Sequence, residues 1–211
     1  MNGVTNGGAH RLSGRPLWSL AEDARVDDDP LTVRGRWGAV PIADPRPPVR
    51  EALRRMSLGP VALENIALLR HGYARRRFEA TLQRLGGYVV PSLGGADGIG
   101  PVLSVIAVVP DAVFVPPPIA RAAVVALRRG CLFDRRADEC VLTCPGRAYQ
   151  VVLHRPAAVA VVGALGSGPR PIGEIAAAAD VDPRDAADVA AYLCGAGVAV
   201  LGEANLEVLS P

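Results

Sequence analysis

ALRRGCLFDRRADECVLTCPGRAYQVVLHRP (126–156) and PIGEIAAAADVDPRDAADVAAYLCGAGVAVLGE (171–203) are the stretches on which the fold turns. Residues 131–134 and 139–144 read as two strands across a polar turn, 135–138. Pro145-Gly146 marks a second turn, and Tyr149–Leu153 reads as a third strand. His154-Arg155-Pro156 opens a helix over 157–165, which Gly166-Ser167-Gly168-Pro169 breaks. A second helix is predicted over 172–179, with Glu174 in its first turn favouring the helix dipole. Asp182 then caps a third helix, Pro183–Gly195, with Pro183 in the first turn, where a missing N–H costs little. Ala186, Val189 and Leu193 form its core face. Gly195 and Gly197 end it, and residues 198–201 make a closing strand. Strands, three helices and a strand in that order are the pattern of a winged helix.

Residues 17–93 read as the same unit again. LTVRGRWGAVPI (31–42) carries strand signals with glycine breaks. Asp44 and the following prolines lead into the helix VREALRRM, which Gly59-Pro60 ends. A second helix is predicted over 61–70 and a third over 75–85, with Phe78, Leu82 and Leu85 on one face. Gly86-Gly87 supplies a left-handed stop before a strand at 88–90. The landmarks of the two copies correspond: Pro45 with Pro156, Gly59-Pro60 with Gly168-Pro169, and Gly87 with Gly197. The expected organisation is therefore α+β. A disordered tail (1–16) precedes a first winged-helix-like unit (17–93), a linker (94–125) and a second unit (126–205). In the linker, the apolar runs VLSVIAVV (102–109) and AVFV (112–115) are expected to form a hairpin around Pro110-Asp111.

Composition narrows the chemistry. All 23 Lys+Arg residues are arginine, so lysine-dependent catalysis has no residue to work with. Net charge is +2, which gives no global pull toward nucleic acid or anionic lipid. The longest apolar segment, 102–115, is broken by Pro110-Asp111 and too short to span a bilayer. With no apolar stretch typical of a secretory signal near the N-terminus, the expected location is the cytoplasm, where Cys131, Cys140, Cys144 and Cys194 would be thiols. C-x3-C at 140–144 lacks a partner pair for zinc. No Ser or Cys nucleophile lies near His10, His71 or His154 in sequence, and no nucleotide-binding glycine motif occurs. No catalytic residue or metal ligand is assigned.

Recognition remains. The outer face of the third helix of the second unit sets Arg184 against Asp185 and Asp188, a poor surface for phosphate. The alternative of a DNA-binding regulator rests on the first unit, where Arg70, Arg75, Arg76, Arg77 and Arg84 cluster. Peptide capture fits the second unit better. A three-stranded sheet beside a helix leaves one strand edge open, and an extended peptide can add there as a further strand. The candidate edge is Tyr149, Gln150, Val151, Val152 and Leu153, and the candidate wall is Arg184, Asp188 and Tyr192. The arginines of the first unit are the candidate partner-docking surface.

The segments 126–156 and 171–203 resemble the leader-peptide recognition domains of ribosomal natural-product (RiPP) biosynthesis, the PqqD-like winged helices. REALRRMSLGPVALENI (50–66) and PVLSV (101–105) are similar to the N-terminal region of actinobacterial SagB-type azoline dehydrogenases. The resemblance implies binding of a precursor peptide during thiazole and oxazole formation. No positions match the FMN-bearing catalytic domain of those dehydrogenases, so it implies no cofactor in this chain. FMN is expected in a separate dehydrogenase, which or a cyclodehydratase would be the protein partner. An alternative is that the chain is a split N-terminal part of such a dehydrogenase.

Overall fold

The computed structural model describes residues 14–43, 45–66, 69, 72–136 and 139–202. These form a mixed α+β molecule with five α-helices and three antiparallel sheets. The N-terminal half begins with β1 (Arg15–Leu20), followed by the meander β2 (Arg25–Asp28), β3 (Leu31–Gly35) and β4 (Gly38–Pro41). Helix α1 (Pro47–Met56), a 3-10 turn (Leu63–Asn65), α2 (Gly72–Leu85) and β5 (Val89–Gly94) come next. A single strand, β6 (Pro101–Ala107), leads across to the C-terminal half. There, β7 (Val124–Leu127) precedes the meander β8 (Leu132–Arg136), β9 (Glu139–Thr143) and β10 (Tyr149–Leu153). Then follow α3 (Pro156–Leu165), the short β11 (Arg170–Pro171), α4 (Ile172–Ala179), α5 (Pro183–Gly195) and β12 (Ala199–Gly202).

The two halves repeat one pairing scheme. In the second, β7 is flanked by β11 and β12. In the first, β1 pairs along β5 and forms an isolated bridge from Trp18 to Val61, just after the Gly59-Pro60 break. Val61 thus stands where β11 stands after Gly168-Pro169. Gly59 and Gly168 both adopt positive φ, 146° and 118°, a backbone state that glycine enters at little cost. Pro47 and Pro156 lie in the first turns of α1 and α3.

The halves are not separate units on a linker. Strands from both, with β6 between them, build one six-stranded sheet in the order β1-β5-β6-β10-β9-β8. The expected hairpin of 102–109 with 112–115 does not form. Instead β6 pairs with β5 and with β10, and residues 112–115 belong to no strand. The reason is apolar area. Leu103, Val105 and Ala107 are essentially fully buried, which a two-stranded hairpin on the surface would not achieve. The strand at the N-terminus starts at Arg15, inside the stretch expected to be a tail. The helix expected over 61–70 is a 3-10 turn at 63–65, and Asp44, expected as a cap, lies outside the described residues. α1 instead has Arg46 at its N-cap position without a side-chain cap bond.

Two cores follow. One packs Leu53, Met56, Ile66, Phe78 and Leu85 under β3 and β5. The other packs α3, α4 and α5 against β6, β9 and β10 through Leu103, Leu142, Val151, Leu153, Leu165 and Tyr192. Trp37 touches both.

Candidate functional site

Tyr149–Leu153 is not a free edge. β10 is hydrogen-bonded on both sides, to β9 (Val151 opposite Leu142) and to β6 (Val151 opposite Val105). Peptide addition at this strand, the expectation from sequence, is corrected: the chain's own β6 already fills the position. Gln150 is half-buried; Tyr149, Val151, Val152 and Leu153 are buried. Desolvation raises the Tyr149 phenol to about 12.

The expected groove wall is also turned onto the protein itself. Tyr192 is buried and its hydroxyl donates to the Ser92 carbonyl of β5 at 3.1 Å. Burial pushes its pKa well above the ordinary tyrosine value. Asp188, 6% exposed, accepts from the Gly14 backbone N–H at 2.7 Å. Arg184 is exposed at the start of α5, where its N–H is capped by Asp182 at 2.7 Å. Of the three, only Arg184 faces solvent, so they form no common surface for a ligand.

The first half carries the same construction with the position beside its third strand open. Among the described residues β4, the counterpart of β10 in its meander, pairs with β3 alone and ends that sheet. Beside it runs α2, the counterpart of α5. Between them lies a groove of about 180 Å³, walled by residues 40–43 on one side and Arg77, Ala80, Thr81 and Arg84 on the other. β4 is a fitting edge: Pro41 has no N–H to offer a ladder, and proline in sheets is confined to edges, strand starts and bulges. α2 sits beside it because Phe78, Leu82 and Leu85 turn into the core, which points residues 77, 80, 81 and 84 outward.

The candidate docking arginines are distributed along α2. Arg75 pairs with Glu79 at 3.0 Å. Arg77 donates to the Tyr73 hydroxyl at 3.0 Å and lies 5.6 Å from that ring. Arg76 is exposed, and Arg84 lines the groove with Arg77. Arg70 lies outside the described residues.

One polar chain was not anticipated. The Ser92 and Ser104 hydroxyls meet at 2.8 Å inside the sheet, and Ser104 meets His154 Nε2, also at 2.8 Å. Ser92 faces Ser104 across β5 and β6, a pairing that sequence could reveal only once the register was known. The four cysteines are free thiols. Burial raises Cys131 to about 12 and Cys194 to about 11, which is unsuited to a thiolate nucleophile. Among the described residues, no three His, Cys, Asp or Glu side chains gather as a metal site, and no helix is long and apolar enough to cross a membrane. No protein-family model matches the chain, and no curated protein matches it.

Proposed function

We propose that this protein is a non-catalytic recognition protein that captures an extended peptide by strand addition, and that the capturing edge is β4 rather than β10. Each half is read as a winged-helix-like unit. In the second, the place beside β10 is taken by the chain's own β6. The same place in the first, beside β4 and α2, is left as a groove.

The observation that carries the reading is that β10 holds the antiparallel β6 on its far side, while among the described residues β4 has no second partner strand and a groove lies between it and α2. β6 acts as the internal example of what such a position accepts. A peptide added to β4 would gain main-chain hydrogen bonds along an edge that has none on that side among the described residues, and side-chain selection from α2. Following the resemblance, the peptide is a precursor leader for azole formation, handed to a separate FMN-dependent dehydrogenase or cyclodehydratase.

The test is fluorescence polarisation of labelled candidate leader peptides against the full chain. Binding is expected, and Ala39→Pro, which removes an N–H that β4 turns away from β3, should abolish it while the protein stays folded. Retained binding in Ala39→Pro would refute the edge assignment, and no binding by any leader peptide would refute the function.

A further inference from the structure

We infer that Cys131 and Cys144 are a redox-responsive pair that closes to a disulfide and ties β8 to β9 at the base of their hairpin. The last paired residues of that ladder are Leu132 and Thr143, and the two cysteines are the next residues outward on the two chains. Their kind of position follows from the neighbouring ladders. His154 donates its N–H to the Val102 carbonyl, and Ala148 accepts from Val108. The even-numbered residues of β10 therefore turn their main-chain groups to β6 and the odd-numbered ones to β9. Carried on through Val151 opposite Leu142 and Val141 opposite Asp134, this makes Leu132 and Thr143 a hydrogen-bonded pair. Cys131 and Cys144 are then a non-hydrogen-bonded pair, where Cα atoms stand about 4.5 Å apart and side chains are closest. A disulfide spans roughly 4.4–6.8 Å between Cα atoms. The two thiols are in hydrogen-bonding contact, Cys144 buried in the second core and Cys131 half-buried against it. Cys140 is not the partner, although C-x3-C joins it to Cys144 in sequence. Four residues along one strand separate the two by about 13 Å.

Closure needs a two-electron oxidant, here a small-molecule disulfide such as oxidised glutathione. A thiolate of the pair attacks one glutathione sulfur and expels the other glutathione as its thiolate. The second protein thiol, on losing its proton, attacks the protein sulfur of that mixed disulfide and expels the remaining glutathione. The two thiol protons end on two reduced glutathione molecules, and the protein gives up two electrons. Desolvation by burial, with the Cys144 contact adding to it, raises Cys131 to about 12. Little thiolate is then present at neutral pH, so closure is slow and the pair is a latch rather than a catalyst. Closing it exchanges the Cys131 thiol's bond to the carbonyl of Val198, the residue before β12, for a covalent link within the meander. The Val198 carbonyl keeps the Arg128 N–H, so the change orphans no buried acceptor.

The experiment incubates the full chain with oxidised glutathione over a range from neutral to alkaline pH, alkylates the remaining thiols and maps the tryptic peptides by mass spectrometry. Trypsin cuts between the two cysteines at Arg135 and Arg136, so peptide 130–135 should appear cross-linked to peptide 137–147. Two of the four thiols should disappear, and dithiothreitol should restore them. The rate should rise about tenfold per pH unit, as the thiolate fraction does. Cys140→Ser should leave the cross-link in place, and Cys144→Ser should remove it. In the Cys140→Ser chain the second peptide holds Cys144 alone, so its cross-link names the partner even if Cys144→Ser does not fold. The closed form should melt several degrees above the reduced one, because the link constrains the unfolded chain. A link from Cys131 to Cys194, or links between chains on a non-reducing gel, would overturn the pairing. Four free thiols after alkaline oxidation would remove the site altogether. A lower melting temperature in the closed form would show that the bond forms only by distorting the strands, which contradicts the register.

Discussion

Tyr192 is 2% exposed, and its one polar atom reaches across from α5 to the backbone of β5. A buried hydroxyl without a partner is costly, so this bond fixes how the helix layer sits on the sheet. Tyr192→Phe keeps the packing and removes only the bond. It should lower stability by about 1 kcal/mol in urea unfolding, with the fold retained. His154 gives a second residue-level prediction. The residue is exposed overall, but partial desolvation of its ring beside Ser104 depresses its pKa, against an opposing pull from Glu139. A folded-state value below the unfolded 6.5 means that the unfolded chain binds the proton better. The resulting stability is present above about pH 6.5 and is lost as pH falls from there through the folded value. Urea midpoints should decline between neutral and mildly acidic pH, and His154→Gln should flatten that decline. An unchanged profile in the variant would mean that the ring contributes nothing to it.

At the scale of elements, α5 shows local sequence and tertiary structure agreeing. The Asp182 side chain accepts from the Arg184 N–H, and Pro183 occupies the first turn. Asp182→Ala should therefore cost about 1 kcal/mol, measured by thermal or urea unfolding. The helices and meander of the second half were legible because capping residues, glycine stops and apolar spacing act within a few residues of one another. The partners of β10 were not legible in the same way, since pairing is set by whichever strand buries the most area, however distant in sequence. A signal was nevertheless present. YQVVL (149–153) and LSVIA (103–107) carry no proline, glycine or charge, the composition of strands flanked on both sides. GAVP (38–41), by contrast, has glycine and proline, which suit an edge. Comparing those three segments would have moved the candidate groove from β10 to β4. β1 and β7 were missed because RPLWSL and VVAL are short and flanked by loops, and they become strands only by pairing with β5 and β12. The 3-10 turn at 63–65 replaces a full helix where the first half differs most from the second.

For the whole molecule, the shared sheet has a thermodynamic consequence. β6 lies between β5 of one half and β10 of the other, and Leu103 and Val105 on it are fully buried. Removing β6 would strip β10 of one ladder and expose apolar side chains of the second core, so neither half keeps its full stability alone. The intact chain should then unfold in one transition, with far-ultraviolet circular dichroism and tryptophan fluorescence following the same urea curve. Both tryptophans, Trp18 and Trp37, lie in the first half, whereas α3, α4 and α5 supply most of the helical signal of the second. Non-coincident curves would therefore show the halves unfolding separately. The same logic permits a direct trial of strand acceptance. A fragment spanning residues 118–211 presents the position beside β10 empty, and a synthetic peptide spanning residues 99–110 carries the native occupant. The peptide should bind the fragment and raise its thermal midpoint, in proportion to ligand concentration over dissociation constant. A peptide with Ile106→Pro, which loses an N–H of the ladder to β10, should do neither. If the native peptide also fails on a folded fragment, the position beside β10 does not accept a strand in trans, and the case for its open counterpart beside β4 loses its internal precedent.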